Sequence, residues 1–339
     1  RVGAQNGSVN HFARNDFRVF RALFHYDFSA VEGDLNLDCF TTLSHYKAIA
    51  KHGRRYNQNV SEKVRDLSRR LAAAPDDETF FRLVTEHYRQ YGVGMLGLNK
   101  AFRIQSGPEG IGFIPIYNTD KVMLRDLVGY ESQKAQLRHN TEAFLAGRSA
   151  NNALLYGDAG TGKSSSVKAL INEYYDQGLR MIEIYKHQFR DLSAVIAKVK
   201  NRNYRFIIFI DDLSFEENEV EYKFLKAVIE GGVETKPDNI LLYATSNLIR
   251  ETWKDRADME HENDVHHSDT LEEKLSLSAR FGVRINYSIP NRTQFQEMVL
   301  TLAERQALTV PAEVLLAEAN KWELRHGGVQ RALQRLFVN

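Results

Sequence analysis

The chain has 339 residues, 43% of them hydrophobic and 26% charged, with a formal net charge of +1. This is an ordinary composition for folded domains, and the length suffices for two or three of them. The balanced charge predicts no nucleic-acid or membrane partner from bulk electrostatics, which leaves only local basic patches to consider. A single cysteine, Cys39, excludes an internal disulfide framework and fits a reducing cytoplasm. No apolar run approaches the length needed to span a bilayer, so a membrane role is not expected. The chain opens RVGAQNGSVN without a methionine, which fits a trimmed chain and leaves room for a removed targeting segment.

Residues 1–123 read as a mainly helical region that ends in a short hairpin. SEKVRDLSRRLAAA and ETFFRLVTEHYRQYG place apolar residues at helical spacing, with Ser61 as a cap candidate for the first. YGVGMLG then carries Gly92, Gly94 and Gly97 at a dinucleotide-binding spacing. That fingerprint must follow a strand and open a helix, and here an amphipathic helix precedes it, so a turn is expected. AFRIQSGPEGIGFIPIYN alternates, turns at Gly107-Pro108-Glu109-Gly110, and alternates again, as a hairpin does.

Residues 124–290 change pattern. ANNALLYG, LRMIEIY, YRFIIFIDD, DNILLYATSN and GVRINYSIP are short apolar or β-branched runs. KSSSVKALINEYYDQ, DLSAVIAKVKN and EYKFLKAVIEGG lie between them with helical spacing. Strands alternating with helices predict an α/β fold, a parallel sheet between helices. Residues 291–339 hold only helical pattern and predict a small helical lid, with Pro311 where a helix would start.

The chemistry concentrates in GDAGTGKSS. Gly157, Asp158, Ala159, Gly160, Thr161, Gly162, Lys163 and Ser164 match the phosphate-loop pattern, a strand precedes them, and Ser165 continues the helix that follows. Such glycines let the backbone N–H groups face a phosphate at a helix N-terminus. Lys163 is placed to reach the β- and γ-phosphates of a nucleotide, and Ser164 to ligate Mg²⁺. Asp211 ends the most apolar strand and can hold the same Mg²⁺ through water. Asp212 follows as the candidate to orient or deprotonate an attacking water. Many ATPases carry Glu there, and the side chain of Asp is shorter by about 1.5 Å. Glu216 and Glu217 are further carboxylates, read as a solvated helix start.

In order and spacing these motifs resemble the AAA+ ATPases, over roughly residue 126 to the end. LVGY, Leu127 to Tyr130, resembles the segment that packs around adenine, which assigns Val128 and Gly129 to the nucleotide. GDAGTGKS and FIIFIDD resemble the Walker A and Walker B motifs. Asn247, Arg280 in SLSARFG and Arg331 in GGVQR match the sensor 1, arginine-finger and sensor 2 positions. More narrowly, the chain looks like a bacterial group of predicted AAA+ ATPases without an assigned cellular role. The resemblance implies ATP and Mg²⁺ as ligands. It also implies a homo-oligomer in which Arg280 enters the next subunit's site, and work on an unidentified protein partner. Cations aimed at a transferring phosphoryl group stabilise its spreading charge, which gives both arginines a physical reason.

Two departures matter. Asp212 in place of Glu puts the rate of hydrolysis in question, though not nucleotide binding. KHQF, Lys186 to Phe189, lacks the glycine of a peptide-threading pore loop, and Phe189 reads as a packing residue. The acidic link ETWKDRADMEHENDVHHSDTLEEK carries His261, His266 and His267 and reads as a solvated loop rather than a metal site. Other readings stay open beside the ATP-driven remodeller. One is a slowly hydrolysing switch or scaffold. Another is a helicase-loader-like protein that touches nucleic acid through KHGRR, Lys51 to Arg55, and KVKNRNYR, Lys198 to Arg205. A small-molecule kinase would leave Asn247, Arg280 and Arg331 without roles.

Overall fold

The computed structural model describes residues 8–39, 58–92, 94–108, 110–213, 220–230, 237–247 and 278–325. The chain forms two compact units, Arg1–Asn99 and Lys100–Asn339.

The first unit is helical. Its elements are α1 (Ser8–Phe24), α2 (Ser29–Leu35), α3 (Gln58–Ala72), α4 (Asp77–Tyr91) and the single turn α5 (Met95–Leu98). Helix α4 starts where Asp76 accepts a 2.7 Å hydrogen bond from the Thr79 N–H, which satisfies one of the donors a helix start leaves open. Its apolar side buries Phe80, Leu83 and Val84 with Leu71 and Ala74, and Phe17 of α1 packs against them. The expected cap at Ser61 is corrected: α3 begins three residues earlier, at Gln58, so Ser61 lies within its first turns. The glycine pattern after α4 is a turn, as expected, with Gly92 at φ 65° and Gly94 at φ 73°.

The second unit holds a seven-stranded sheet. Its strands are β1 (Ala101–Gly107), β2 (Gly110–Pro115), β3 (Ala153–Gly157), β4 (Leu179–Glu183), β5 (Arg205–Ile210), β6 (Ile240–Ser246) and β7 (Val283–Tyr287), in the order β2-β1-β4-β5-β6-β3-β7. All neighbours are parallel except the β1–β2 hairpin. The helices are α6 (Glu131–Leu145), α7 (Lys163–Tyr174), α8 (Leu192–Val199), α9 (Val220–Glu230), α10 (Arg292–Arg305) and α11 (Ala312–Arg325). Pro311 directly precedes α11, and its carbonyl accepts from the Leu315 N–H at 3.0 Å.

The hairpin is placed differently from the sequence reading, which grouped it with the helical region up to residue 123. β1 pairs in parallel with β4, Ala101 opposite Met181, so the hairpin extends the core sheet. The reason is burial. Ala101, Phe102 and Ile104 are buried, and alternation along the chain shows that a strand has one apolar face but not which sheet covers it.

β5 explains the apolar run before the two aspartates. Phe206, Ile207, Ile208, Phe209 and Ile210 are all buried, so both faces of the strand are covered. Ile207 and Phe209 share one cluster with Leu137 and Phe144 of α6 and Val167, Leu170 and Ile171 of α7. The 3₁₀ turn Lys186–Asp191 buries Phe189, which is the packing role expected of it. Among the described residues no helix is long and apolar enough to cross a membrane.

Candidate functional site: a phosphate loop facing two aspartates

Ligand sites of open α/β sheets lie beyond the carboxyl ends of the strands. The carboxyl ends of β3, β5 and β6 carry Gly157, Asp211 and Asn247 here. The loop from β3 into α7 turns at Gly157 (φ 129°), Gly160 (φ 76°) and Gly162 (φ 84°), a conformation other residues rarely adopt. At Gly157 space matters too, because a Cβ would lie 2.3 Å from the Tyr287 carbonyl oxygen of β7. The loop is tied to β7 as well. Asp158 N–H donates to the Tyr287 carbonyl at 3.0 Å, and the Asp158 carboxylate accepts from the Ile289 N–H at 2.8 Å.

Lys163 opens α7 and is buried. Its Nζ donates to the carbonyls of Gly157 at 3.0 Å and Asp158 at 2.6 Å, so the ammonium folds back over the loop. Burial lowers its pKa to about 8, although the nearby carboxylates of Asp158, Asp212 and Asp211 pull the other way. Thr161 braces the loop through a 2.8 Å bond to the Asp158 carbonyl. Ala159 and Ser165 stand half-buried in the loop and the first turn of α7.

Asp211 gathers the rest of the site. Its Oδ1 accepts from Ser164 Oγ at 2.6 Å and from Thr245 Oγ1 at 2.7 Å, and its Oδ2 from Lys168 Nζ at 3.2 Å. Burial works against ionising this carboxyl, but the bonds from Ser164, Thr245 and Lys168 prevail and hold it below the usual range. Asp212 is exposed and takes a left-handed backbone, φ 54°. Its N–H donates to Thr245 Oγ1 at 2.9 Å, and its Oδ1 accepts from Asn247 Nδ2 at 2.9 Å. A hydrogen-bonded chain therefore runs from Ser164 through Asp211 and Thr245 to Asp212 and Asn247.

Two of the groups bonded to Asp211 escaped the sequence reading. Thr245 begins the polar end of a strand that opens Ile-Leu-Leu, two residues before Asn247, and that polarity was its signal. Lys168 follows Ser164 by four residues, which puts both on one face of α7.

Val128 and Gly129 border a cavity of about 390 Å³ that Tyr130, Gln294, Met298 and Arg305 also line. Gly129 has φ 80°, a backbone conformation that other residues rarely adopt, and the Met298 side chain of α10 lies directly over it. Arg305 fixes the other end of α10 by donating to the carbonyls of Asp126 and Arg125, each at 2.8 Å. Arg280 stands half-buried in the turn before β7. Arg331, Glu216, Glu217, KHGRR and the histidine-bearing link lie outside the described residues. Of the second basic stretch, Lys198 donates to the Ile111 carbonyl and Arg205 lies 5.3 Å from the Phe144 ring centre, so both serve the fold.

The donor set suits a hard divalent cation. Ser164 and Asp211 offer a hydroxyl and a carboxylate oxygen already within 2.6 Å of each other, and oxygen ligands are what Mg²⁺ takes.

Residues 98–339 match a family described as "Protein of unknown function (DUF815)". The chain belongs to this family. An 84-residue segment is 40% identical to the Replication factor C large subunit of Staphylothermus marinus, covering 24% of this chain and 19% of that protein. The chain thus spans about a fifth of the length of that curated relative. Among solved structures, the Thermotoga maritima RuvB Holliday junction branch migration motor is 16% identical over 64% of this chain and 63% of its own, with a TM-score of 0.40. A mutant form of the same RuvB gives 17%, 64% of each chain and 0.40. The α/β class expected from the alternation of strands and helices is the one the mostly parallel sheet and its helices form.

The lysine makes the site sensitive to pH. If the loop holds a nucleotide, the charged form of Lys163 is the one that would meet its phosphates. Below pH 8 the ammonium is already present, and affinity for ATP should change little. Above it the free protein loses the proton and must regain it on binding, so the Kd should rise by up to about tenfold per pH unit. Calorimetry in buffers of different ionisation heats should show proton uptake at pH 9 and much less at pH 7.

Proposed function

We propose that this family member binds ATP with Mg²⁺ at the Gly157–Ser164 loop and hydrolyses it to remodel or load a protein partner. The observation that carries this is the continuous bonding from Ser164 to Asn247 at the carboxyl ends of adjacent strands, directly beside the phosphate loop. Lys163 and the loop N–H groups bind the phosphates. The adenine packs between Val128, Gly129 and the start of the lid. Ser164 and Asp211 would hold Mg²⁺, which when bound would supply charge neutralisation to the phosphates. Asp212 orients the attacking water and accepts its proton, and Asn247 fixes the direction of that carboxylate. The setting is cytoplasmic, and the chain works as a homo-oligomer in which Arg280 completes the neighbouring site. Arg331 acts from the lid.

A second reading is a nucleotide-held switch that turns over slowly. The short Asp212, held by Asn247 in a left-handed conformation, favours it. Contact with nucleic acid, as in a loader, is a third, supported by the 84-residue likeness to a replication factor subunit.

Steady-state ATP turnover across a range of protein concentrations tests the assembly. Rate per chain should climb with concentration in the wild type, and Arg280→Ala should stay at the dilute rate, about a hundredfold lower or more. A rate per chain independent of concentration, with Arg280→Ala as active as wild type, would remove Arg280 and assembly from the mechanism.

A further inference from the structure

Lys168 is the group at this site that the proposed chemistry leaves without a task. It lies one helical turn beyond Ser164, and its Nζ is 3.2 Å from Asp211 Oδ2. The other oxygen of the same carboxylate is held by Ser164 and Thr245. Both carboxylate oxygens of Asp211 are therefore bonded from within the chain. The Phe209 ring, buried in β5, has its centre 5.6 Å from the ammonium. The charged groups around the loop are Lys163 and Lys168 against Asp158, Asp211 and Asp212.

We infer that Lys168 is a resident counter-ion of Asp211 that sets how strongly nucleotide binding depends on a divalent cation. The inference rests on the nucleotide reading above. Its physics is simple. A divalent cation approaching Asp211 meets a standing positive charge a few ångströms away, and like charges at that range repel even when solvent screens them. Conversely, the same ammonium offsets one charge of Asp211 when a polyphosphate arrives without a metal. The site should then tolerate metal-free ATP better, and gain less from Mg²⁺, than one with Asp211 alone. Lys168 is a positioning and specificity residue in this account, since it touches the carboxylate.

The test is equilibrium binding of a fluorescent ATP analogue to the full chain, in excess EDTA and then across a Mg²⁺ titration. Binding of Mn²⁺, followed by electron paramagnetic resonance, reads the metal directly. The side chain of Lys168 is 43% exposed, so Lys168→Met should fold normally. It is expected to weaken metal-free binding about tenfold and to shift the Mg²⁺ and Mn²⁺ midpoints about tenfold lower. Lys168→Arg, which keeps the charge, should stay near wild type. A merely structural tie between α7 and β5 predicts a lower Tm for Lys168→Met with both midpoints unmoved, and that result overturns the inference while leaving the nucleotide site intact. A wild type that binds the analogue under neither condition overturns the nucleotide reading and this inference with it.

Discussion

Lys163→Ala is expected to weaken ATP binding by about a hundredfold or more, corresponding to about 2.7 kcal/mol, while the protein stays folded. The ammonium is buried at the loop, and on the proposed reading its removal takes away charge-assisted bonds to the phosphates. Stability should suffer little. Burial already lowers the pKa to about 8, which means the charged form is held at a cost that the variant does not bear. What it loses are two bonds to the Gly157 and Asp158 carbonyls, and the relief of the burial cost works against that loss. Isothermal titration gives the affinity, and thermal melting checks the fold. Unchanged affinity would place the nucleotide elsewhere.

Asp212→Asn is expected to lower turnover by about a hundredfold to a thousandfold with ATP affinity within about threefold of wild type. The substitution isolates the charge. Asn tolerates the left-handed backbone that residue 212 adopts at φ 54°. Its side-chain carbonyl can still accept from Asn247, and its N–H still reaches Thr245. What disappears is the charged carboxylate that the proposed mechanism uses as base. Single-turnover hydrolysis beside an affinity measurement separates chemistry from binding. Equal rates in variant and wild type would mean that Asp212 does no water chemistry. If both rates were near zero, the Ser164–Asn247 chain would be the clamp of a switch.

Most of the core was legible because its signals are local. The phosphate loop is set by glycines and a lysine at fixed spacing, and β5 by an unbroken apolar run into Asp211. Both were read directly. Thr245 and Lys168 were not, because their importance is a matter of neighbours. Thr245 meets Asp211 and Asp212 only once β5 and β6 lie side by side, and Lys168 only once α7 packs against β5. The hairpin shows the same limit at larger scale. Its alternation was plain, but its pairing with β4 joins Ala101 to Met181, and no local pattern carries that register. Ser61 failed for a different reason. A cap residue is a preference of short range, and α3 extends through it to Gln58.

The central claim is that the Gly157–Ser164 loop is a nucleotide site. Its most direct test is an equilibrium titration of the wild-type chain with ATP in Mg²⁺ at pH 7. Saturable binding of about one ATP per chain, with a Kd in the micromolar range, is the predicted result. No binding at millimolar ATP would contradict it.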